Sequence, residues 1–467
     1  MFDLVIHNGE AARATGSRRL DVAVSSGRIA ALLEPGVGAQ VQAREYVDAA
    51  GMVIFPGLVD PHVHGGVGEP DRETIENVSR AAAAGGITTI LDQPLSNPST
   101  VTLERFDAKK AEMERESVVD FGIWGGLVPG HLDDLGSMFN AGAQAFKAFM
   151  CRCSNYPMTD DGLLLKGMSR IGGLGGLVAV HAENDTLIQQ LADDLKAAGR
   201  RDPLAFLESH PEYTELEAVR RFIFIARQAP ACKGHVVHAS IPGAVEAVRT
   251  AREGGGCGTA GVDITIETCP QYLALTDCDM ERIGGVAKCD PPLRSRHSVE
   301  AMWECVLKGW VDMVASDHSP HTLAKKTPVD GDFWTAAEGV TGVQTLLPVL
   351  VTEGRKRGLT WAQLARLCST NPAKRFGLYG RKGDIELGFD ADLVIFDPGA
   401  VWTLTDGDLF YVNKHSPYCG MTFTGKVART LVRGVVVYDG EEHAVKVKPG
   451  YGRFYRMDMT DGGCSEW

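Results

Sequence analysis

Gly57-Leu58-Val59-Asp60-Pro61-His62-Val63-His64 follows an apolar run from Met52 to Phe55. The run reads as a buried β-strand that ends in two histidines one residue apart. In extended backbone, residues two apart project to the same side. His62 and His64 therefore reach a common point just beyond the strand end. Neutral imidazole is a common zinc ligand, and a pair at a strand terminus is one way to grip a metal. Surface strands also produce such pairs by chance, so the weight of this one depends on the rest of the chain.

On either side of the pair the chain changes character. Residues 1–52 show short strands (Leu4–His7, Asp21–Ser25, Arg28–Leu32, Val41–Val47) broken by Asn8-Gly9, Gly16-Ser17, Ser26-Gly27 and Pro35-Gly36. This is the pattern of an all-β meander. It returns at Ala391–Phe396, Lys426–Val432 and Val435–Tyr438. One small β-sandwich built from both chain ends is expected, over 1–52 and 386–467 with a C-terminal extension, around a separate domain at 53–385.

Inside that domain, apolar strands alternate with amphipathic stretches. Eight strands are expected: Met52–Asp60, Ile87–Gln93, Val119–Leu127, Ala145–Met150, Leu177–His181, His235–His238, Asp263–Thr268 and Asp312–Asp317. Eight strand-helix units predict an α/β fold of the (β/α)8 TIM-barrel type. A doubly wound sheet usually carries a Gly-rich turn that opens a helix after its first strand. The run Gly172-Gly173-Leu174-Gly175-Gly176 instead precedes a strand, so it is read as a helix-to-strand loop.

A barrel of this type places its reactive groups at the C-terminal ends of its strands. Five of the eight expected strands finish there in residues able to bind metal or hold charge: His62 and His64, Lys147, His181, His238 and Asp317. Taken singly, each has an ordinary reading as a bonded core histidine, a helix cap or a snorkelling lysine. Jointly, four histidines, a lysine and an aspartate at one end of one barrel predict a metal site. An ammonium repels cations, so Lys147 joins such a set only after losing its charge. Carboxylation by CO2 achieves this, and the carbamate's two oxygens suit a bridge between two metals. His318 and His321 are expected to orient ligands or line the pocket. His235 is left out of the ligand set, and His210 is read as solvated or structural.

The net charge of -13 argues against nucleic acid or an anionic membrane as partner. Eleven cysteines without CxxC spacing read as reduced. The chain opens straight into a strand pattern, and no stretch approaches the ~20 apolar residues that span a bilayer. A soluble, cytoplasmic protein is expected.

Several stretches resemble the cyclic-amide hydrolases of the amidohydrolase superfamily, in the hydantoinase, dihydropyrimidinase and allantoinase group. They include Pro56 to His64, Gly85-Gly86-Ile87-Thr88-Thr89, Phe146-Lys147-Ala148-Phe149-Met150, Val180-His181-Ala182-Glu183-Asn184, Val237-His238-Ala239-Ser240, Glu267 to Leu273, Lys288-Cys289-Asp290-Pro291-Pro292-Leu293-Arg294 and Ser316-Asp317-His318-Ser319. The resemblance implies two Zn2+ or other divalent ions. His62, His64 and Asp317 would hold one, His181 and His238 the other, and carboxylated Lys147 would bridge them. It further implies ring opening of a cyclic amide or ureide by a hydroxide shared between the metals, with Asp317 moving the proton. Backbone groups near Cys289 and Gly339 would orient the ring, and the resemblance suggests a homotetramer built partly through 411–422. The motifs lie nearest to L-type hydantoinase and allantoinase.

Two positions depart from the group's usual pattern. Asp290 stands where a small residue is common, and Glu338 where hydantoinases often have asparagine. These carboxylates, both at expected substrate-binding positions, point to a ring with N–H donors or positive charge. The loop from Gly65 to Asp71 is expected to shape the entrance. Other readings are a hydrolase of another cyclic imide or a dihydropyrimidine, a deaminase or lactonase on the same barrel, and a non-catalytic dihydropyrimidinase-like scaffold. Lys147 argues against the deaminase, and the filled ligand positions argue against the scaffold.

Overall fold

The computed structural model describes residues 1–153, 156–254 and 261–456. Its centre is a ring of parallel strands: Leu58–Val63, Ile87–Asp92, Asp120–Ile123 continued by Gly125–Gly126, Phe146–Phe149, Leu177–His181, Lys233–Val236, Ile264–Thr268 and Met313–Val314. Neighbours pair in chain order, and a parallel bridge from Val63 to His318 brings the last strand back to the first. Strands buried on both faces read as continuous apolar runs. Ile87–Asp92 and Leu177–His181, buried at every residue, show why they were legible. The run Gly172 to Gly176 connects the helix Asp161–Gly172 to the strand Leu177–His181, as its position implied.

The expected strand Met52–Asp60 is in fact two strands. Val53–Pro56 belongs to the terminal domain, pairing antiparallel with Leu393–Thr403 and parallel with Glu10–Arg13. Leu58–Val63 alone enters the barrel. Gly57 makes the break, because a Cβ there would lie 2.2 Å from Thr88 Oγ1 and 2.9 Å from the Asp392 side chain. Its N–H donates to the Asp392 carbonyl at 2.7 Å.

Both chain ends contribute to the β-sandwich. A four-stranded sheet comes from residues 2–48, and a seven-stranded sheet mixes strands from both ends. Leu4, Ile6, Val22 and Ile29 meet Ile54, Leu393, Ile395 and Leu431 in a shared core. The hairpin Glu10–Arg13 and Gly16–Arg19 was not expected, since its residues are charged and half-exposed. Phe454 then bridges to Phe121 of the barrel. The end of the expected segment 386–467, beyond residue 456, lies outside the described residues. No described helix is long and apolar enough to cross a membrane, and every described cysteine is free.

A buried charge network joins barrel and sandwich. Asp120 receives Lys382 and Arg433 side-chain donors, and also the Arg453 N–H at 2.9 Å. Lys382 Nζ reaches Asp392 at 2.6 Å as well. Asp120 and Lys382 are almost wholly buried, so deleting one partner strands the other without solvent. Asp120→Ala should lower stability by about 3–5 kcal/mol, read as a drop in denaturation midpoint. Activity per folded molecule should hold, because the network lies outside the cavity.

Candidate metal centre and substrate cavity

All six residues expected to bind metal line one cavity of about 560 Å³ at the C-terminal end of the barrel. His62, His64 and Asp317 form the tightest set, with ligand atoms within 4.8 Å of one another. Asp317 Oδ1 lies 3.2 Å from His62 Nε2 and 3.4 Å from His64 Nε2. Lys147 Nζ lies 3.5 Å from His62 Nε2. The His181 and His238 rings meet edge to face at 4.5 Å.

The barrel fixes these groups from different strands. His62 lies within Leu58–Val63, and the His64 N–H donates to the His318 carbonyl at 2.9 Å. Lys147 lies inside Phe146–Phe149 and has no exposed surface. His238 and Asp317 fall just past their strands, with φ of 40° and 47°. L-residues seldom adopt the left-handed region, and such strain concentrates at functional sites.

The electrostatics suit cations. Burial holds the imidazoles of His62, His64 and His238 well below their ordinary value and lowers that of His181 to about 4. All four are therefore neutral near pH 7, the form that ligates. Burial lowers the Lys147 ammonium to about 8 and raises the Asp317 carboxyl to about 6. His64 Nδ1 and His238 Nδ1 are buried without a hydrogen-bond partner. Orphaned imidazole nitrogens beside a carboxylate and a buried lysine are what a divalent metal centre would satisfy, so the residues present fit the group.

Two carboxylates behind the histidines went unassigned in the sequence. His62 Nδ1 lies 2.5 Å from Glu267 Oε1, and donation there leaves the Nε2 lone pair facing Asp317 and Lys147. His181 Nε2 lies 2.8 Å from Glu183 Oε2, which likewise frees Nδ1. Such partners fix tautomer and ring orientation. His235 also bonds Glu267, at 3.1 Å, and Thr265 at 2.8 Å, so it serves the interior rather than the metal set. Glu267→Gln should weaken metal binding about 10- to 100-fold, measured by chelator competition. Unchanged affinity would remove Glu267 from this role.

The cavity wall differs in part from expectation. Cys289, Asp290, Glu338 and Gly339 all line it. The Gly339 N–H, however, donates to the Lys288 carbonyl at 2.9 Å, so it is not free to hold a ring. Glu338 is paired with Lys288 Nζ at 2.8 Å, which balances its charge. Lys326 Nζ donates to the carbonyls of Lys288, Ala337 and Gly339 at 2.9, 2.8 and 2.6 Å, tying both sides of this wall together.

Gly65 to Asp71 does not line the cavity; Arg72 does. The loop acts through that arginine, which Glu69 holds at 3.0 Å. His321 lines the cavity, whereas the His318 ring turns away against Tyr411 at 4.7 Å. His210, read from sequence as solvated or structural, is 7% exposed and faces the cavity. The helices Asp185–Ala197 and Pro203–Ser209 carry the chain there.

Comparison with known proteins agrees with this architecture. The model of the amidohydrolase family matches residues 53–437. An allantoinase of Rubrobacter xylanophilus is 42% identical, covering 99% of both chains. An allantoinase of Solibacter usitatus is 40% identical, covering 96% of both. Among solved structures, an L-hydantoinase (dihydropyrimidinase) from Arthrobacter aurescens superposes with a TM-score of 0.93 at 36% identity, covering 98% of this chain and all of that one. With the family match spanning the barrel and these similarities running end to end, the chain belongs to the amidohydrolase family.

Proposed function

We propose that this chain is a hydrolase that cleaves a C–N bond in a cyclic amide or ureide and so opens the ring. The observation that carries this reading is the convergence of four neutral imidazoles, a buried lysine and an aspartate on one cavity. Relatives named allantoinase and L-hydantoinase support the ring class.

His62, His64 and Asp317 would hold one divalent ion, His181 and His238 a second, and Lys147 the bridge. Zinc suits a set rich in imidazole. Bound ions would polarise a carbonyl and acidify water, supplying a nucleophile near neutral pH. Lys147 must carry a carbamate for this role. Its neutral amine attacks the carbon of CO2, one proton leaves, and an anion replaces a potential cation. A lysine lowered to about 8 supplies neutral amine at moderate pH.

Asp317 takes the proton of the attacking water and passes it to the ring nitrogen as the C–N bond breaks. Its carboxylate, 13% exposed, opens to the cavity. Substrate would lie against Cys289, Asp290, Glu338 and Gly339. Of the two carboxylates in that wall, Asp290 is the one not offset by a lysine.

The same reading makes the protein a cytoplasmic enzyme and a homotetramer. In segment 411–422, Tyr411 and Tyr418 are buried within their own chain, so its share of an interface would come from exposed groups such as Val412. Light scattering on the purified protein tests the assembly.

The decisive experiment assays zinc-loaded enzyme on allantoin, hydantoins, dihydropyrimidines and cyclic imides. Ring opening of at least one class, lost on metal removal and restored by metal, is expected. No opening of any ring with two metals bound would overturn the proposal.

A further inference from the structure

One end of the cavity gathers acceptors without donors. Glu183, His210 and Asp290 bring ligand atoms within 4.8 Å of one another. Glu183 is fully buried, and its Oε1 has no hydrogen-bond partner; Asp290 Oδ1 has none either. His210 Nε2 stands 3.5 Å from Asp290 Oδ1, too far for a good hydrogen bond.

The far side of the His210 ring fixes its tautomer. Its Nδ1 lies 3.1 Å from the Phe206 carbonyl and 2.8 Å from Ser209 Oγ. The Ser209 hydroxyl already donates to that carbonyl at 2.7 Å, so Nδ1 is the atom that must carry hydrogen. A neutral ring then turns an Nε2 lone pair toward the Asp290 carboxylate. Burial lowers the His210 pKa, which favours the neutral ring.

The nearby arginine does not resolve this. Arg294 donates to Ser240 Oγ at 2.8 Å, to the His210 carbonyl at 2.5 Å and to Glu215 at 3.1 Å. It anchors the His210 backbone and leaves the cluster's acceptors to something else. His210 and Asp290 both face the cavity, and Phe206 packs 4.6 Å from the His210 ring. The missing partner is thus a set of N–H donors arriving from the cavity, beside an aromatic face that suits a flat group.

We propose that Asp290 and His210, backed by Glu183, form a subsite for a planar substituent on the substrate ring that presents paired N–H donors, as a ureido or guanidino group does. A carboxylate accepts two parallel N–H bonds from such a group. The inference rests on the ring-opening function proposed above and assigns what selects among rings. A site built around acceptors rejects an analogue that lacks the donors, because the acceptors stay buried and unpaired.

The test compares hydantoins bearing at C5 a ureido group, a guanidino group, or an alkyl group of matched size. Kd and kcat/KM are measured on the full zinc-loaded chain, on Asp290→Asn and on Asp290→Ala, with metal content determined in parallel. Wild type should favour a donor-bearing ring over the alkyl ring by about 10- to 100-fold. Both variants should pull that ratio toward one while alkyl binding holds, which also shows that they fold. The better of the two donor arms identifies a neutral or a cationic substituent. A wild-type ratio near one, or a ratio that Asp290→Asn and Asp290→Ala leave in place, overturns the subsite. A third equivalent of metal, lost on Asp290→Ala, overturns it in favour of a cation at this cluster. Donor preference in Kd without turnover keeps the subsite and overturns only the ring-opening function.

Discussion

Lys147→Ala should lose the metal pair and with it at least about a 10³-fold factor in kcat, since catalysis here depends on metal-acidified water. The lysine sits mid-strand without exposed surface, 3.5 Å from His62 Nε2. Nothing else in the set joins the His62, His64 and Asp317 group to the His181 and His238 pair. Elemental analysis should find clearly fewer than two metals per chain. Truncation also leaves a hole where the aliphatic stem packed, so Lys147→Met serves as the control that keeps volume without a carbamate. Both variants should behave alike in metal content. Short-chain carboxylates added to Lys147→Ala fit that hole and supply an anion, and partial recovery of metal and activity is expected. Intact mass of the wild type under native conditions should show one added CO2. Full metal content and turnover in Lys147→Met would show that the bridge is not required.

Much of this centre was readable before folding, for a physical reason. Parallel barrel strands are buried on both faces and therefore apolar throughout, so a polar residue ending one stands out. Lys147, His181, His238 and Asp317 each interrupt such a run. The same property hid the domain junction. Val53–Pro56 and Leu58–Val63 are both fully buried, one in the sandwich sheet and one in the barrel, and they read as a single strand. The only mark was Gly57, whose missing side chain is demanded by Thr88, a residue 31 positions away.

Partners were less legible than ligands. Glu267 stands 205 residues from the histidine it orients, and no local pattern records that distance. A carboxylate inside the apolar strand Ile264–Thr268 was the available signal. His210 offered none. Its place depends on the paired helices after the fifth strand, where only Ile188 and Ala192, then Ala205 and Phe206, reach the interior among the apolar residues. Glu338 shows the converse, because its charge was legible but its neutralisation by Lys288 was not.

Asp317→Asn should lower kcat by about 10²–10⁴-fold, the usual range for losing a general acid–base, while leaving KM nearly unchanged. The exchange is close to isosteric, so packing against His62 and His64 is retained. It also suits the backbone: Asp317 has φ 47°, and asparagine is among the few residues that enter the left-handed region readily. What the amide cannot do is accept the water's proton and return it to the ring nitrogen. Metal content measured on the same sample separates this loss from a loss of ligand. Asp317→Ala makes the complementary case, since alanine at that φ adds strain of roughly 1–2 kcal/mol and removes the oxygen altogether. It should show reduced metal, a lower melting temperature and no turnover. If Asp317→Asn with both metals bound turned over at the wild-type rate, proton transfer would belong to another group in the cavity.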